Sequence, residues 1–292
     1  MPAVTIIIPI LNRATFLPDL FRQLAAVTYE ELEVVLVDNG SSDGSLPMCR
    51  TFAEDAPMVV RVLEEPRRSA CCARNRGLQD CHTEWVYFFD SDDELTPTFL
   101  ETIMSRIGEE DMVAFPTLQN VEGRVRKRAF IANATPSDQL LSATLNTASM
   151  LFRTEFLRSI GGWNEELGIW QDWELGIRSL LACPRVLWLR QPFHEIRIHA
   201  DSITGASYAV RRETIHRTLE VVAGEIDGNA VCRALALRCY IVNGILRRQG
   251  ARSIPMPIYA GAPTRVLGFL LGVYTRLGGR GAWRFARLFC WR

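Results

Sequence analysis

Three short apolar runs, separated by helix-length segments, limit most what this chain can fold into. Val4-Thr5-Ile6-Ile7-Ile8-Pro9, residues 33–37 and Trp85-Val86-Tyr87-Phe88-Phe89 are apolar with little alternation, the pattern of strands covered on both faces. Between the first two, Phe16, Leu17, Leu20, Phe21 and Leu24 fall at helical spacing. A further strand is expected at 59–63 and a helix at 70–80. Strand and helix in alternation predict an α/β fold with a Rossmann-like, mostly parallel sheet flanked by helices. Pro9 is expected to end the first strand.

Ligands of such sheets bind beyond the carboxyl ends of the strands, at a topological switch point. That rule sets three polar turns on one rim: the one after Pro9, Asp38-Asn39-Gly40-Ser41-Ser42-Asp43-Gly44, and Asp90-Ser91-Asp92-Asp93. The fingerprint G-x-G-x-x-G is missing after the first strand, where Pro9-Ile10-Leu11-Asn12-Arg13 stands, which argues against a dinucleotide oxidoreductase. Three carboxylates at the exit of a buried strand repel one another and lose solvation, so a compensating cation is expected. Mg²⁺ or Mn²⁺, which take oxygen ligands and substrate phosphates, would supply it and imply a metal-bound nucleotide; a solvated acidic turn is the plainer alternative.

A second informative stretch is Gly161-Gly162-Trp163-Asn164-Glu165, followed by Trp170-Gln171-Asp172-Trp173-Glu174. The glycine pair breaks one helix, and Gln171 begins another with Asp172 and Glu174 near its positive end. A carboxylate there can take a proton from an acceptor hydroxyl, and Asp172 is the candidate base, Glu174 being expected to be solvated or paired. Trp170 and Trp173 offer either faces for a sugar ring or core packing.

With these elements in order, Thr5-Ile6-Ile7-Ile8-Pro9 with Asn12, Val37 to Asp43, Ala73-Arg74-Asn75-Arg76-Gly77, Phe89 to Asp93, the Gly161 and Gln171 motifs, and Arg197-Ile198-His199, the chain resembles a family 2 glycosyltransferase of the inverting, bacterial type with a GT-A fold. The likeness covers about the first 205 residues. The likeness implies a nucleotide-binding and catalytic domain at 1–207, while the residues beyond it, read on their own as helices at 208–223 and 230–249, form a helical, basic C-terminal extension at 208–292. It also implies transfer of a sugar from a nucleoside-diphosphate donor, by the family's habit a UDP-sugar, to an acceptor hydroxyl, in surface-polysaccharide or glycolipid synthesis. Pro9 and Asp38 would meet base or ribose, and Arg74 would lie near the nucleotide. Asp90 and Asp92 would form the D-x-D pair, with Asp92 the direct ligand of Mn²⁺ or Mg²⁺ and His199 at the metal or phosphates, and Asp172 would be the base. Arg197 could meet a phosphate oxygen. Three departures from the family's pattern stand out: Gln171 where a Glu is frequent, Asp38-Asn39 where paired acids are, and Pro66-Arg67-Arg68, whose arginines either grip phosphate or lie on a solvated turn. A catalytically silent carbohydrate-binding or scaffolding protein on the same fold is the rival reading.

The zero net charge hides an asymmetry. No acid follows Asp227, while eleven arginines do, so 22 bases face all 33 acids in the preceding part. From Arg265 on, arginines alternate with large apolar residues in a run too broken to span a bilayer, which suggests peripheral membrane contact or a homodimer face. No nucleic-acid-binding module is recognised. Eight cysteines without C-x-x-C spacing, and Met1 leading directly into a strand, point to a reduced cytoplasmic setting, peripheral to the inner membrane face.

Overall fold

The computed structural model describes residues 3–198, 207–258 and 260–290. In chain order the elements are β1 (Val4–Ile10), α1 (Leu17–Ala25), β2 (Leu32–Asp38), α2 (Ser45–Asp55), β3 (Val59–Glu64), α3 (Ala70–Gln79), β4 (Trp85–Phe88), α4 (Phe99–Met104), β5 (Met112–Ala114), β6 (Leu118–Val121) and β7 (Arg124–Lys127). There follow α5 (Pro136–Ser142), β8 (Met150–Arg153), α6 (Thr154–Ser159), α7 (Gln171–Leu181), β9 (Val186–Trp188), β10 (Glu195–Ile198), α8 (Arg212–Glu225), α9 (Asn229–Arg248), α10 (Ala262–Arg276) and α11 (Ala282–Cys290).

Two compact units result. One takes the described residues of Met1–Ala132, Leu145–Glu165 and Cys183–His199; the other takes Asn133–Thr144, Glu166–Ala182 and those of Ala200–Arg292. The sequence reading drew a single boundary at 207, whereas here α5 and α7 group with the C-terminal helices.

The first unit holds a seven-stranded sheet in the order β3-β2-β1-β4-β8-β5-β9, in which only β8 runs against the rest. It is the mostly parallel, helix-flanked sheet that the apolar runs predict. The order reverses beside β1, which makes the β1/β4 boundary the switch point. A three-stranded sheet, β10-β6-β7, was not foreseen, because its strands are four residues long and β7 is wholly exposed.

Alternation along β1 explains how both faces are sealed. Ile6, Ile8 and Ile10 join Leu17, Leu20 and Leu24 of α1 and Phe99 of α4 in one core, while Ile7 points to the other face, against Gly77 of α3. A Cβ at Gly77 would stand 2.5 Å from Ile7 Cγ2, so the glycine in Ala73-Arg74-Asn75-Arg76-Gly77 is required by close helix-on-strand packing. Each fully buried Ile of this strand contributes about 1.5–3 kcal/mol.

β1 does not stop at Pro9; it pairs through Ile10 with Asp38. The β4 ladder ends at the Ile7–Phe88 pair, and Ile7 O accepts from Phe89 N. Pro9 faces the same side as Ile7, past the last β4 partner, so its missing N–H costs no ladder bond.

In the second unit, Trp173 and Ile177 of α7, Leu140 of α5, Leu219 of α8 and Leu235 of α9 share a core. α8 begins at Arg212. All eight cysteines are free thiols, with Cys71 and Cys72 buried as small apolar groups. No helix among the described residues is long and apolar enough to cross a membrane.

Candidate active site

The loops after β1 and β2 are sewn together by the polar residues of the two motifs. Asn12, in the left-handed region at φ 52°, donates its backbone N–H to Ser41 Oγ and accepts from Ser42 N at 2.8 Å. Asn tolerates that conformation better than most residues. Arg13 N donates to Ser45 Oγ and Ala14 N to Asp43 Oδ2, and Ser45 donates both its N–H and its hydroxyl to Asp43 Oδ1. The Ser45 hydroxyl in particular holds the Asp43 carboxyl below its ordinary value. Much of the Asp38-to-Ser45 motif therefore shapes the rim.

Asp38 ends β2 opposite Ile10 and is 4% exposed. Its Oδ2 accepts from Gly40 N and Ser41 N, each at 3.1 Å, whereas Oδ1 is buried with no hydrogen-bond partner among the described residues. A buried carboxylate oxygen left without a donor costs free energy in the empty state, which a ligand N–H or O–H would recover. Arg68, one of the two arginines considered for phosphate, donates to Gly40 O of this turn. Arg67 does not stand ready for phosphate: it pairs with Glu65 at 2.9 Å and Glu165 at 2.6 Å.

Across β1, Arg74 of α3 is 5% exposed, donates to Asp90 Oδ1 at 2.7 Å, and lies 4.4 Å over the Trp163 ring. Asn75 fixes the glycine turn that carries Trp163, donating to Trp163 O and accepting from Trp163 N. Gly162, at φ 65° and with Asn75 Oδ1 2.8 Å from a would-be Cβ, admits no side chain there. Asp92 meets Arg13 at 3.6 Å. The compensating positive charge expected at this acidic turn is thus supplied in part by two guanidinium groups from neighbouring elements.

Asp93 points inward, accepting from Arg197 N at 2.9 Å. Burial, then the charges of Asp90 and Asp92, push its carboxyl well above the ordinary range. The oxygen donor set of Asp90 and Asp92 fits a hard dication. Among the described residues no three His, Cys, Asp or Glu side chains converge into a metal cage, and His199 lies outside those residues. Arg197 is no phosphate ligand here, being paired with Asp19 at 3.1 Å and Glu94 at 3.0 Å. His194 is sealed among Tyr87, Phe89, Phe99 and Phe115, and burial pushes its imidazole down to about 3.

In the second unit Trp170, at φ 56°, turns the chain into α7. Asp172 stands half-buried in the first turn, and the one bond to its carboxylate among the described residues comes from Trp173 N at 2.8 Å. Glu174 is fully buried in a two-bond pair with Arg178, with distances of 2.5 and 3.0 Å, which removes it as a base. Trp173 is core and no sugar platform: its indole N–H donates to Gln139 O and Leu140 O, and Arg238 covers its ring. Trp170 is half-buried, edge-on to Trp173 and Tyr208.

Sequence reasoning gave Arg13 and Glu165 no role and did not set Asp93 apart from the other two carboxylates of its turn. Arg13 adjoins the Asn12 motif residue and Glu165 closes the Gly161 motif, so proximity was the available signal; nothing in the sequence marks Asp93 as the inward member of its turn.

The model of the family described as Glycosyl transferase family 2 matches residues 5–159. The chain belongs to that family. Among curated relatives, the uncharacterized glycosyltransferase YibD of Escherichia coli is 31% identical over 143 residues, which is 49% of this chain and 41% of YibD. The PGL/p-HBAD biosynthesis glycosyltransferase of Mycobacterium bovis is 29% identical over 182 residues, 61% of this chain and 69% of its own length. The chain thus spans about two fifths of YibD. Of solved structures, S. aureus TarS 1–349 in complex with UDP-GlcNAc superposes with a TM-score of 0.70 at 19% identity, covering 99% of this chain and 91% of that one. The mannosyltransferase PcManGT from Pyrobaculum calidifontis, in complex with GDP-Man and Mn²⁺, gives 0.62 at 18%, with 99% and 84% covered. At such identities the likeness establishes the fold, which is GT-A. As a family 2 glycosyltransferase, the chain carries most of its family match on the unit that holds Asp38, Arg74, Asp90 and Asp92, with residues 133–144 of the match in the other unit.

Proposed function

We propose that this glycosyltransferase moves a sugar, with inversion, from a UDP-sugar to an acceptor hydroxyl of a glycan or lipid-linked molecule in surface-polysaccharide or glycolipid synthesis, and depends on a divalent metal. The observation that carries the nucleotide part is the buried, unpartnered Oδ1 of Asp38 on the rim that also holds Asp90 and Arg74. That oxygen accepts a hydrogen bond from the base or ribose, and Pro9 lines the base side from β1. Arg74, set over the Trp163 ring, keeps Asp90 in place for the ribose or an ordered water. A bound Mn²⁺ or Mg²⁺, with Asp92 as direct ligand, Asp90 beside it and His199 assigned by its motif position, would neutralise charge building on the departing diphosphate.

Asp172 takes the acceptor proton. The acceptor oxygen bonds to the anomeric carbon from the side opposite the nucleotide, the carbon–phosphate-oxygen bond breaks, and nucleoside diphosphate leaves with that electron pair. One displacement inverts the centre. UDP is favoured by the nucleotide held in the TarS complex, and a metal by the Mn²⁺ in PcManGT.

The test is slow nucleotide-sugar hydrolysis by the purified chain. Release of nucleoside diphosphate is expected with Mn²⁺, to fall sharply on chelation, and to drop at least tenfold in Asp92→Ala. Equal release with chelator present would overturn the metal requirement, and no nucleotide binding at all would overturn the whole reading.

A further inference from the structure

α10 is a helix turned inside out. Thr264, Gly268, Leu271 and Thr275 face inward, three of them small or polar, and Gly268 lies so near Tyr240 of α9 that a Cβ would stand 2.1 Å from the ring. Its outward stripe is Val266, Phe269, Leu270, Val273, Tyr274 and Leu277, all exposed, with Leu277 at 82%. At 100° per residue these six cover an arc of about 140°. A surface helix of a globular protein ordinarily turns its polar side outward. α11 repeats the inversion, burying Ala282, Ala286 and Cys290 and exposing Phe285, Leu288 and Phe289. The two stripes join where Tyr274 meets Phe285 edge-on at 6.0 Å, and the Tyr274 hydroxyl ties the turn by donating to Arg280 O. Nine of the fourteen large apolar side chains exposed among the described residues lie on this one surface, a concentration that marks an interaction site.

The rim of the patch is basic. Arg265 and Arg276 fall together at about 20° to 40° from the stripe's edge, and Arg280 and Arg284 follow it, all exposed. No acid occurs after Asp227. Beside the stripe, an apolar cleft of about 490 Å³ between α9 and α10 is lined by Tyr240, Ile254, Met256, Phe269 and Val273, with Arg247 and Arg276 also on its wall. A two-fold pairing of copies through this surface would set the arginines of one copy against those of the other with no carboxylate on either helix to answer them.

We infer that α10 and α11 form a docking surface for an anionic lipid bilayer, the apolar stripe entering the interface and the arginines meeting phosphate headgroups. The helices lie on the membrane, since none is long enough to cross it. The inference goes beyond the transferase chemistry and stands or falls without it.

The experiment is co-sedimentation of the whole chain with phosphatidylcholine vesicles, with and without phosphatidylglycerol. Binding to the anionic vesicles is expected to be at least tenfold tighter and to weaken with salt as the Debye length falls from about 10 Å at 0.1 M to about 3 Å at 1 M. Arg276→Gln with Arg280→Gln should lower anionic binding by roughly fivefold each. Leu270→Asp with Phe285→Asp should lower it at least tenfold on either lipid. Both substituted sites are exposed, so melting temperature and nucleotide binding should stay unchanged, which separates lost docking from lost folding. Absence of vesicle binding, equal binding to both lipids, or binding indifferent to these variants would overturn the inference. So would a concentration-dependent dimer that Leu270→Asp with Phe285→Asp dissolves while vesicles are ignored.

Discussion

Replacing Asp38 by Asn separates the cost of an empty rim from its use. Gly40 N and Ser41 N both need an acceptor, so the amide oxygen must take the place of Oδ2. The NH₂ group then occupies the position of the unpartnered Oδ1. In the empty protein two effects oppose each other: a buried charged oxygen without a donor disappears, and two charge-assisted bonds to the turn become neutral ones. Each is of order 1–3 kcal/mol, so stability should stay within about 1 kcal/mol of the parent. Nucleotide binding has no such cancellation. A charge-assisted bond worth about 1.5–3 kcal/mol is lost, and a donor now faces the ligand's donor at a further cost of about 1–3 kcal/mol. Affinity for UDP should fall by roughly two to four powers of ten. Calorimetric titration with UDP beside thermal unfolding without it measures both. A dissociation constant within about threefold of the parent would refute the assignment of Oδ1 to the ligand. A large fall in stability would show instead that the oxygen serves the turn.

Other outcomes follow from the same coordinates. Asp172→Asn should reduce nucleoside diphosphate release by about 10²- to 10⁴-fold while leaving UDP affinity unchanged, since a base acts on the acceptor side; a matched loss of affinity would assign it to the donor. Gly77→Ala, whose Cβ would meet Ile7 Cγ2 at 2.5 Å, should destabilise by about 1–3 kcal/mol. Combined with Ile7→Ala it should cost less than the two single changes added together, as urea unfolding can measure. His194 is neutral in the fold, with its imidazole lowered from 6.5 to about 3 by burial. Its contribution is therefore present above pH 6.5 and is lost as pH falls toward 3, by up to about 5 kcal/mol. His194→Gln should show a flatter loss of stability between pH 6 and 4 in urea unfolding, and parallel curves would contradict the burial.

The parallel core was legible because β1, β2 and β4 are buried on both faces, which leaves an unbroken apolar run as a local signature. The rim motifs were legible as turns, since Asp, Asn, Gly and Ser dominate strand exits for their local hydrogen bonds, and it was their family order that pointed to a site. Pairings made only by tertiary structure were not: Arg13 reaching Asp92, Arg197 taken up by Asp19 and Glu94, and Arg67 by Glu65 and Glu165. The small sheet escaped because β7, Arg-Val-Arg-Lys, is short and exposed, with no core to impose a period. Glu174 with Arg178 was within reach, four residues apart on one helix, and the expected pairing is what forms. Trp173 was ambiguous until its indole found the carbonyls of Gln139 and Leu140, residues more than thirty positions upstream.

That indole has a wider consequence. α7, which carries Asp172, rests on α5 and on Arg238 of α9, so helices from beyond the matched family region share in the foundation of the proposed base. Cutting the protein at residue 207 would uncover Trp173 and Ile177 and unseat the carboxylate. A displacement of about 1 Å can slow a reaction a hundredfold, so drift in α9 offers evolution a dial on turnover that leaves every nucleotide-facing residue untouched.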